Sequence, residues 1–125
     1  MTMQESGEMY LETILKLSTQ REHVRSIDVV EAMGFSKPAV SRAVKRLRED
    51  AYIIVDGDGY LSLTDKGQAL AEKIYERHTI LTRFLTSLGV DAETASADAC
   101  KMEHDVSDAT FAVIKERMSA QGTEE

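Results

Sequence analysis

Thirteen residues, Ser36 to Arg48, hold five basic side chains (Lys37, Arg42, Lys45, Arg46 and Arg48) and no acidic one, in a chain of 125 residues whose formal charge is -7. Beneath those charges runs an apolar stripe, Ala39-Val40, Ala43-Val44 and Leu47, at the i, i+3/i+4 spacing that puts side chains on one face of a helix. A helix that is apolar on one side and cationic on the other needs a core behind it and an anionic partner in front. Its start is marked by Ser36 as N-cap and by Pro38 in the first turn, where a missing N–H costs nothing. Upstream, Ser26 reads as the cap of a short helix, Ile27–Met33, with Val29, Val30 and Ala32 turned inward and Gly34 as its stop. Two helices joined by a tight Gly-containing turn, the second one cationic, make a helix-turn-helix.

The flanking segments extend that unit. Met9, Leu11, Ile14, Leu15 and Leu17 predict a first helix over about Glu5–Gln20, and Glu22-His23-Val24-Arg25 breaks the pattern. Tyr52–Val55 and Tyr60–Leu63, separated by Asp56-Gly57-Asp58-Gly59, read as a β-hairpin, the wing of a winged helix. Thr64 caps a long helix that continues past His78 to Ser87 and stops at Gly89. Further helices are expected over Ala92–His104 and Ser107–Ser119, the last with Ala109, Phe111, Val113, Ile114 and Met118 as its apolar positions. The expected fold is mostly α, an N-terminal winged helix-turn-helix over residues 1–64 followed by an all-helical domain over 65–125. Met1–Ser6 and Ala120–Glu125 are expected to be frayed.

Averaged charge argues against a nucleic-acid partner, since 22 acidic residues outnumber 15 basic ones. Mapped charge does not. Residues 1–60 carry eight basic and ten acidic residues, and residues 61–125 carry seven and twelve, so the surplus acid lies mainly away from the cationic helix. That helix has the size and sign to enter the major groove of double-stranded DNA. Ser36, Lys37, Pro38, Ser41 and Arg42 occupy its leading end, where base edges are reached, while Lys45, Arg46 and Arg48 contact phosphates or pair with Glu49 and Asp50. The acidic tip of the wing is a poor candidate for the minor groove. The alternative is a solvated charged helix face, which does not explain the order of helix, turn, helix and wing.

A second constellation lies downstream. Cys100, Glu103 and His104 stand at i, i+3 and i+4, so a thiol, a carboxylate and an imidazole project from one side of a helix. Met9 and Glu12 repeat the i, i+3 relation near the N-terminus, and His78 interrupts the apolar stripe of the long helix. Taken singly, Met9 is a core residue, His78 a satisfied polar residue and Cys100 a small buried hydrophobe. Taken together, sulfur, imidazole and carboxylate suit a divalent first-row transition metal rather than Mg²⁺ or Ca²⁺. A single cysteine allows no intramolecular disulfide and points to a reducing cytoplasm. No run of about 18 apolar residues exists, and Met1-Thr2-Met3-Gln4-Glu5 is no signal peptide, so no membrane partner is expected.

Glu8-Met9-Tyr10-Leu11-Glu12, Pro38-Ala39-Val40-Ser41 and Cys100-Lys101-Met102-Glu103-His104-Asp105 resemble the diphtheria toxin repressor and manganese transport regulator family of metal-dependent bacterial repressors. The resemblance covers about residues 5–119. It implies a winged helix, a helical dimerisation domain, a homodimer, a palindromic operator and control of metal-uptake genes. It also implies that the chain ends before the SH3-like third domain of the longer iron-dependent members. By position, Met9, Cys100, Glu103 and His104 match the primary metal site of the iron branch, and His78 matches a histidine used by both branches. Thr82 and Ser96 stand where the iron branch has Glu and His. Glu12 matches the manganese branch, in which carboxylates occupy the places of Met9 and Cys100. The sequence is a hybrid, and its thiolate and thioether favour Fe(II), with Mn(II) next. Two other readings are a winged-helix regulator that senses oxidation at Cys100, and a small metallohydrolase with Glu103 as base. The second lacks any nucleophile constellation or Gly-rich loop, so neither an enzyme nor a small organic substrate is expected.

Overall fold

A computed structural model describes residues 3–120, and side-chain placement from residue 6 onward. Helices α1 (Met3–Gln20), α2 (Ser26–Met33) and α3 (Lys37–Glu49) are followed by strands β2 (Ile53–Val55) and β3 (Tyr60–Leu63), with a short strand β1 (Val24–Arg25) before α2. Helices α4 (Asp65–Ser87), α5 (Ala92–Asp105) and α6 (Asp108–Ala120) complete the chain. It forms two compact units whose boundary falls between Glu72 and Lys73.

In the first unit the apolar faces converge as their spacing requires. Tyr10, Leu11, Ile14 and Leu17 of α1, Val29 of α2, and Val40, Val44 and Leu47 of α3 are buried together with Val24, Ile53, Leu61 and Ala71. Ser36 caps α3, its hydroxyl accepting the Ala39 N–H at 3.2 Å, and Pro38 sits in the first turn. Gly34 closes α2 at φ 71°, a left-handed conformation that glycine adopts without cost. Gly67 is required for a different reason: a Cβ there would lie 2.0 Å from the carbonyl oxygen of Tyr52. That carbonyl also accepts from the Thr64 N–H, and the Thr64 hydroxyl donates to the Ala51 and Tyr52 carbonyls, so the start of α4 is pinned to the turn between α3 and β2. The Thr64 hydroxyl accepts the Gly67 N–H at 3.0 Å, as a cap should.

Several expectations need correction. Ser26 does not cap α2. It is the first helical residue, and the side chain that closes this end is Asp28, which accepts the Arg25 N–H at 2.9 Å. Ala32 is exposed, because an eight-residue helix has room for one fully buried position, Val29. The break at residues 22–25 contains β1, which pairs with β3 through Val24 opposite Leu61 and Arg25 opposite Tyr60, giving a three-stranded antiparallel sheet of order β1-β3-β2. Helix α1 begins at Met3, so residues 3–6 are helical rather than frayed. Met1, Thr2 and residues 121–125 lie outside the described residues. In α6, Ala109 and Val113 face solvent while Phe111 and Met118 are buried.

The second unit is organised around a buried guanidinium. Arg77 is 6% exposed on α4, one turn from Ile74 and Leu81 on its apolar face. It donates to the carbonyl oxygens of Glu103 at 3.1 Å and Val106 at 2.7 Å, satisfying the end of α5, where helix geometry leaves carbonyls without partners. It also pairs with the Asp108 carboxylate at the start of α6, and its charge lies 5.3 Å from the centre of the Phe111 ring. One side chain thus joins three helices over a small core of Leu81, Ala99 and Phe111.

Arg77→Met should remove these bonds while keeping the apolar stem, and lower stability by about 2–4 kcal/mol. Calorimetry showing a loss below about 1 kcal/mol would rule out this role for the guanidinium. Lys73, 3.3 Å away, and then Arg77 hold the Asp108 carboxyl below its usual value of 3.8. A carboxylate whose folded value is depressed stabilises the fold above its unfolded value and loses that contribution as pH falls through the folded one. The stability gap between wild type and Asp108→Asn should therefore stay constant from about pH 7 to 5 and close between about pH 4 and 2, as read by denaturant titration.

Candidate metal centre and nucleic-acid interface

Glu103 is the most buried charged residue described, at 0% exposure. An ionised carboxylate in that position is costly unless cations or hydrogen-bond donors meet it. Its Oε1 lies 2.9 Å from Nδ1 of His78 on α4, and its Oε2 lies 3.4 Å from Nε2 of His104, the next residue on α5. The carboxylate therefore stands between two imidazoles. The other ring nitrogen of His78 faces the Ser96 hydroxyl at 3.4 Å. Cys100, one turn before Glu103, places its sulfur so that donor atoms of His78, Cys100 and Glu103 all lie within 4.8 Å of one another. Ligands on one transition-metal ion, at ordinary bond lengths, are within about 4.5 Å of each other, so small rotamer shifts would close this set on a cation. The closest grouping differs in membership from the expected triplet of Cys100, Glu103 and His104. His78 replaces His104 in it, and His104 reaches the second oxygen of Glu103 instead.

Cys100 is exposed, unlike the small buried hydrophobe that packing alone would make of it. Thr82 donates its hydroxyl to the His78 carbonyl at 2.7 Å and so helps fix the backbone that carries the imidazole. In the first unit, Met9 is half-buried on α1, and Glu12 is 5% exposed. The Glu12 Oε2 atom accepts no hydrogen bond and has Lys16 Nζ at 3.6 Å. On α4 and α5, the imidazole of His78, the thiol of Cys100 and the carboxylate of Glu103 together have the donor chemistry of a divalent transition-metal site. By this test the residues fit a divalent transition metal.

The other site is the outer face of α3. Val40, Val44 and Leu47 are buried, which turns Lys37, Pro38, Ser41, Arg42, Lys45 and Arg46 outward, all exposed. The Ser36 oxygen is engaged as the cap, and its O–H remains able to donate. Arg46 approaches Asp50 at 4.0 Å, the pairing that its spacing allows. Two clefts flank the helix. One of about 360 Å³ is lined by Ser6, Tyr10, Ala39, Arg42, Ala43 and Arg46, and burial pushes the Tyr10 phenol up while Arg42 opposes it. The other, of about 220 Å³, is lined by Ser26, Ile27, Val30, Lys37 and Ser41. Tyr10 and Arg42 therefore share an environment that joins α1 to the cationic helix.

Sequence reasoning missed two groups. Arg77 sits at i+3 from Ile74 and four residues before Leu81, so a charged residue on an apolar stripe was its available signal. His23 and Arg25, on either side of buried Val24, are the second, and only the break in helical spacing at residues 22–25 marked them.

Residues 2–61 match the family described as iron dependent repressor, N-terminal DNA binding domain, and residues 64–121 match iron dependent repressor, metal binding and dimerisation domain. The chain is 35% identical over 105 residues to the iron-dependent repressor IdeR of Mycobacterium tuberculosis, covering 83% of this chain and 46% of that protein. It is 33% identical over 102 residues to the HTH-type transcriptional regulator MntR of Bacillus subtilis, covering 82% of this chain and 72% of the relative. Among solved structures, the manganese regulator SloR superposes with a TM-score of 0.81 at 32% identity, over 90% of this chain and 53% of that one. The chain thus spans about half the length of the IdeR and SloR chains it matches. Both halves of the fold find their counterparts in one group of proteins: the chain belongs to the iron-dependent repressor family of metal-dependent transcriptional regulators.

Proposed function

We propose that this protein represses transcription when loaded with Fe(II) or, next in preference, Mn(II), binding a palindromic operator as a homodimer and controlling metal-uptake genes in the cytoplasm. The observation that carries this reading is the Glu103 carboxylate set between His78 and His104, with the Cys100 thiol one turn away, in a chain whose α3 presents a cationic outer face. His78, Cys100, Glu103 and His104 would hold the cation together with Met9 and Glu12 of α1. When bound, the metal supplies positive charge to carboxylates that are otherwise buried at a cost. Ser36, Lys37, Pro38, Ser41 and Arg42 would read bases, while Lys45 and Arg46 hold phosphates. The residues 1–64 and 65–125 then divide the work of DNA binding from that of metal binding and dimerisation.

Thermodynamic linkage connects the two. A cation that binds the DNA-competent arrangement about a thousandfold better than the loose one shifts the balance by about 4 kcal/mol. Two copies of α3, related by a two-fold axis, match the symmetry of a palindrome. The sulfur donors Met9 and Cys100 favour iron, and the carboxylates Glu12 and Glu103 admit manganese.

A duplex selected from a random-sequence pool by the metal-loaded protein should bind at least about tenfold more tightly with Fe(II) or Mn(II) than with chelator. Equal affinity would refute the reading. Arg42→Ala should abolish the preference for that duplex over a scrambled one while leaving metal affinity intact. Replacing the thiolate by a harder ligand, Cys100→Glu, should move the Fe(II) to Mn(II) ratio of dissociation constants toward manganese by about tenfold or more. An unchanged ratio in competition titrations would remove Cys100 from the ligand set. The exposure of Cys100 supports a second reading, thiol oxidation as the signal. It is distinguished by peroxide-sensitive DNA binding in metal-free protein, which the metal reading does not produce.

A further inference from the structure

In the first unit the arginines outside α3, Arg21 and Arg25, lie at one place, the edge strand β1 and the turn that leads into it. Val24 is buried and pairs with Leu61, so its neighbours His23 and Arg25 turn the other way. Both meet the ring of Tyr60 on β3. His23 stacks on it at 4.2 Å between centroids with the planes 10° apart, and the Arg25 guanidinium lies 4.6 Å from its centre. An exposed arginine ordinarily loses much side-chain freedom when it binds. One already laid over an aromatic ring has lost part of that freedom beforehand.

The acids nearby are largely committed. Asp28 accepts the Arg21 guanidinium at 2.7 Å and the Arg25 backbone N–H at 2.9 Å. Asp56 accepts the backbone N–H groups of Asp58 and Tyr60, both at 2.9 Å, so its carboxylate is turned into the wing's own backbone. Two acids remain beside the pair: Asp58, which acts on Arg25 from the wing tip, and the exposed Glu22, whose carboxylate lies 3.9 Å from the His23 ring. Arg25 is also on the correct side of the unit: Ser26, the next residue, lines the same cleft as Lys37 and Ser41 of α3.

We infer that Arg25, held on Tyr60 beside His23, is a second DNA contact that grips a backbone phosphate flanking the bases faced by α3. The inference rests on the DNA-binding function proposed above and adds a contact at the base of the wing, whose tip is acidic. A phosphate contact fixes register without reading sequence, and each one contributes about 0.9 to the slope of log affinity against log salt on duplex DNA.

The test uses the full chain loaded with Mn(II), with the selected duplex and a scrambled one, titrated over a range of KCl concentrations. Arg25→Ala should weaken binding to both duplexes by a similar factor, about three- to tenfold at low salt, and flatten the salt slope by about one. Arg25→Lys keeps the charge without the planar stack, so it should keep the wild-type slope and lose a smaller part of the affinity. An unaltered slope in Arg25→Ala, or a loss confined to the selected duplex, overturns the inference. A wild-type protein that prefers neither duplex fails the proposed function instead, so the two failures are told apart.

Discussion

A carboxylate with no exposed surface is the constraint around which the C-terminal unit is arranged. Among the described residues, an imidazole from α4 bonds one oxygen of Glu103, an imidazole from α5 lies 3.4 Å from the other, and the backbone that carries the carboxylate is fixed. Arg77 does the fixing. By donating to the carbonyls of Glu103 and Val106 it holds the last turn of α5, and by pairing with Asp108 it sets where α6 begins. His78 is the next residue after Arg77, so one turn of α4 both braces α5 and supplies a donor to the carboxylate on it. A site of this kind is pre-arranged by side chains that never touch a ligand.

The N-terminal unit solves a different problem, that of presenting charge on a small apolar base. The cationic face of α3 exists because Val40, Val44 and Leu47 bury the opposite side against α1 and α2, and because its first turn is capped by the Ser36 hydroxyl and its last carbonyls accept the backbone N–H groups of Asp50 and Tyr52. Gly67, Thr64 and Lys66 then tie the segment that follows that helix to α4 through the carbonyls of Asp50, Ala51 and Tyr52. The acidic chain as a whole keeps indiscriminate attraction to polyanions low, so binding depends on geometry.

Most of the fold was legible because it is written in local patterns. The stripe of α3, the Asp/Gly turn of the wing and the Thr64 cap are each specified by residues close in sequence, and the structure follows them to within a residue or two. On α5, the spacing of Cys100 and Glu103, which the structure brings together with His78, could be read for the same reason, since both stand on one side of one helix. What was not legible depends on partners distant in sequence. Strand β1 is two residues long, too short for a period to be read, and exists only because β3 offers an edge. The cap of α2 passed from Ser26 to Asp28 because the strand pairing of Arg25 fixes where the helix starts. His78 joined the closest donor grouping ahead of His104 because α4 packs against α5, a relation that helical periodicity within α5 cannot express. Arg77 was mentioned only as a neighbour of His78, although a charge on an apolar stripe was its sign.

The turn of the wing has one further implication. Asp56 spends its carboxylate on two backbone N–H groups of the loop, so its charge cannot be exchanged without unmaking the turn. The neighbouring Asp58 contributes its N–H to that turn, and its side chain lies outside the two bonds that define it. Half of the wing tip's negative charge therefore rests on one replaceable residue, on a scaffold that does not depend on it. A single change at that position could neutralise the tip while the turn and the helices behind it stay as they are.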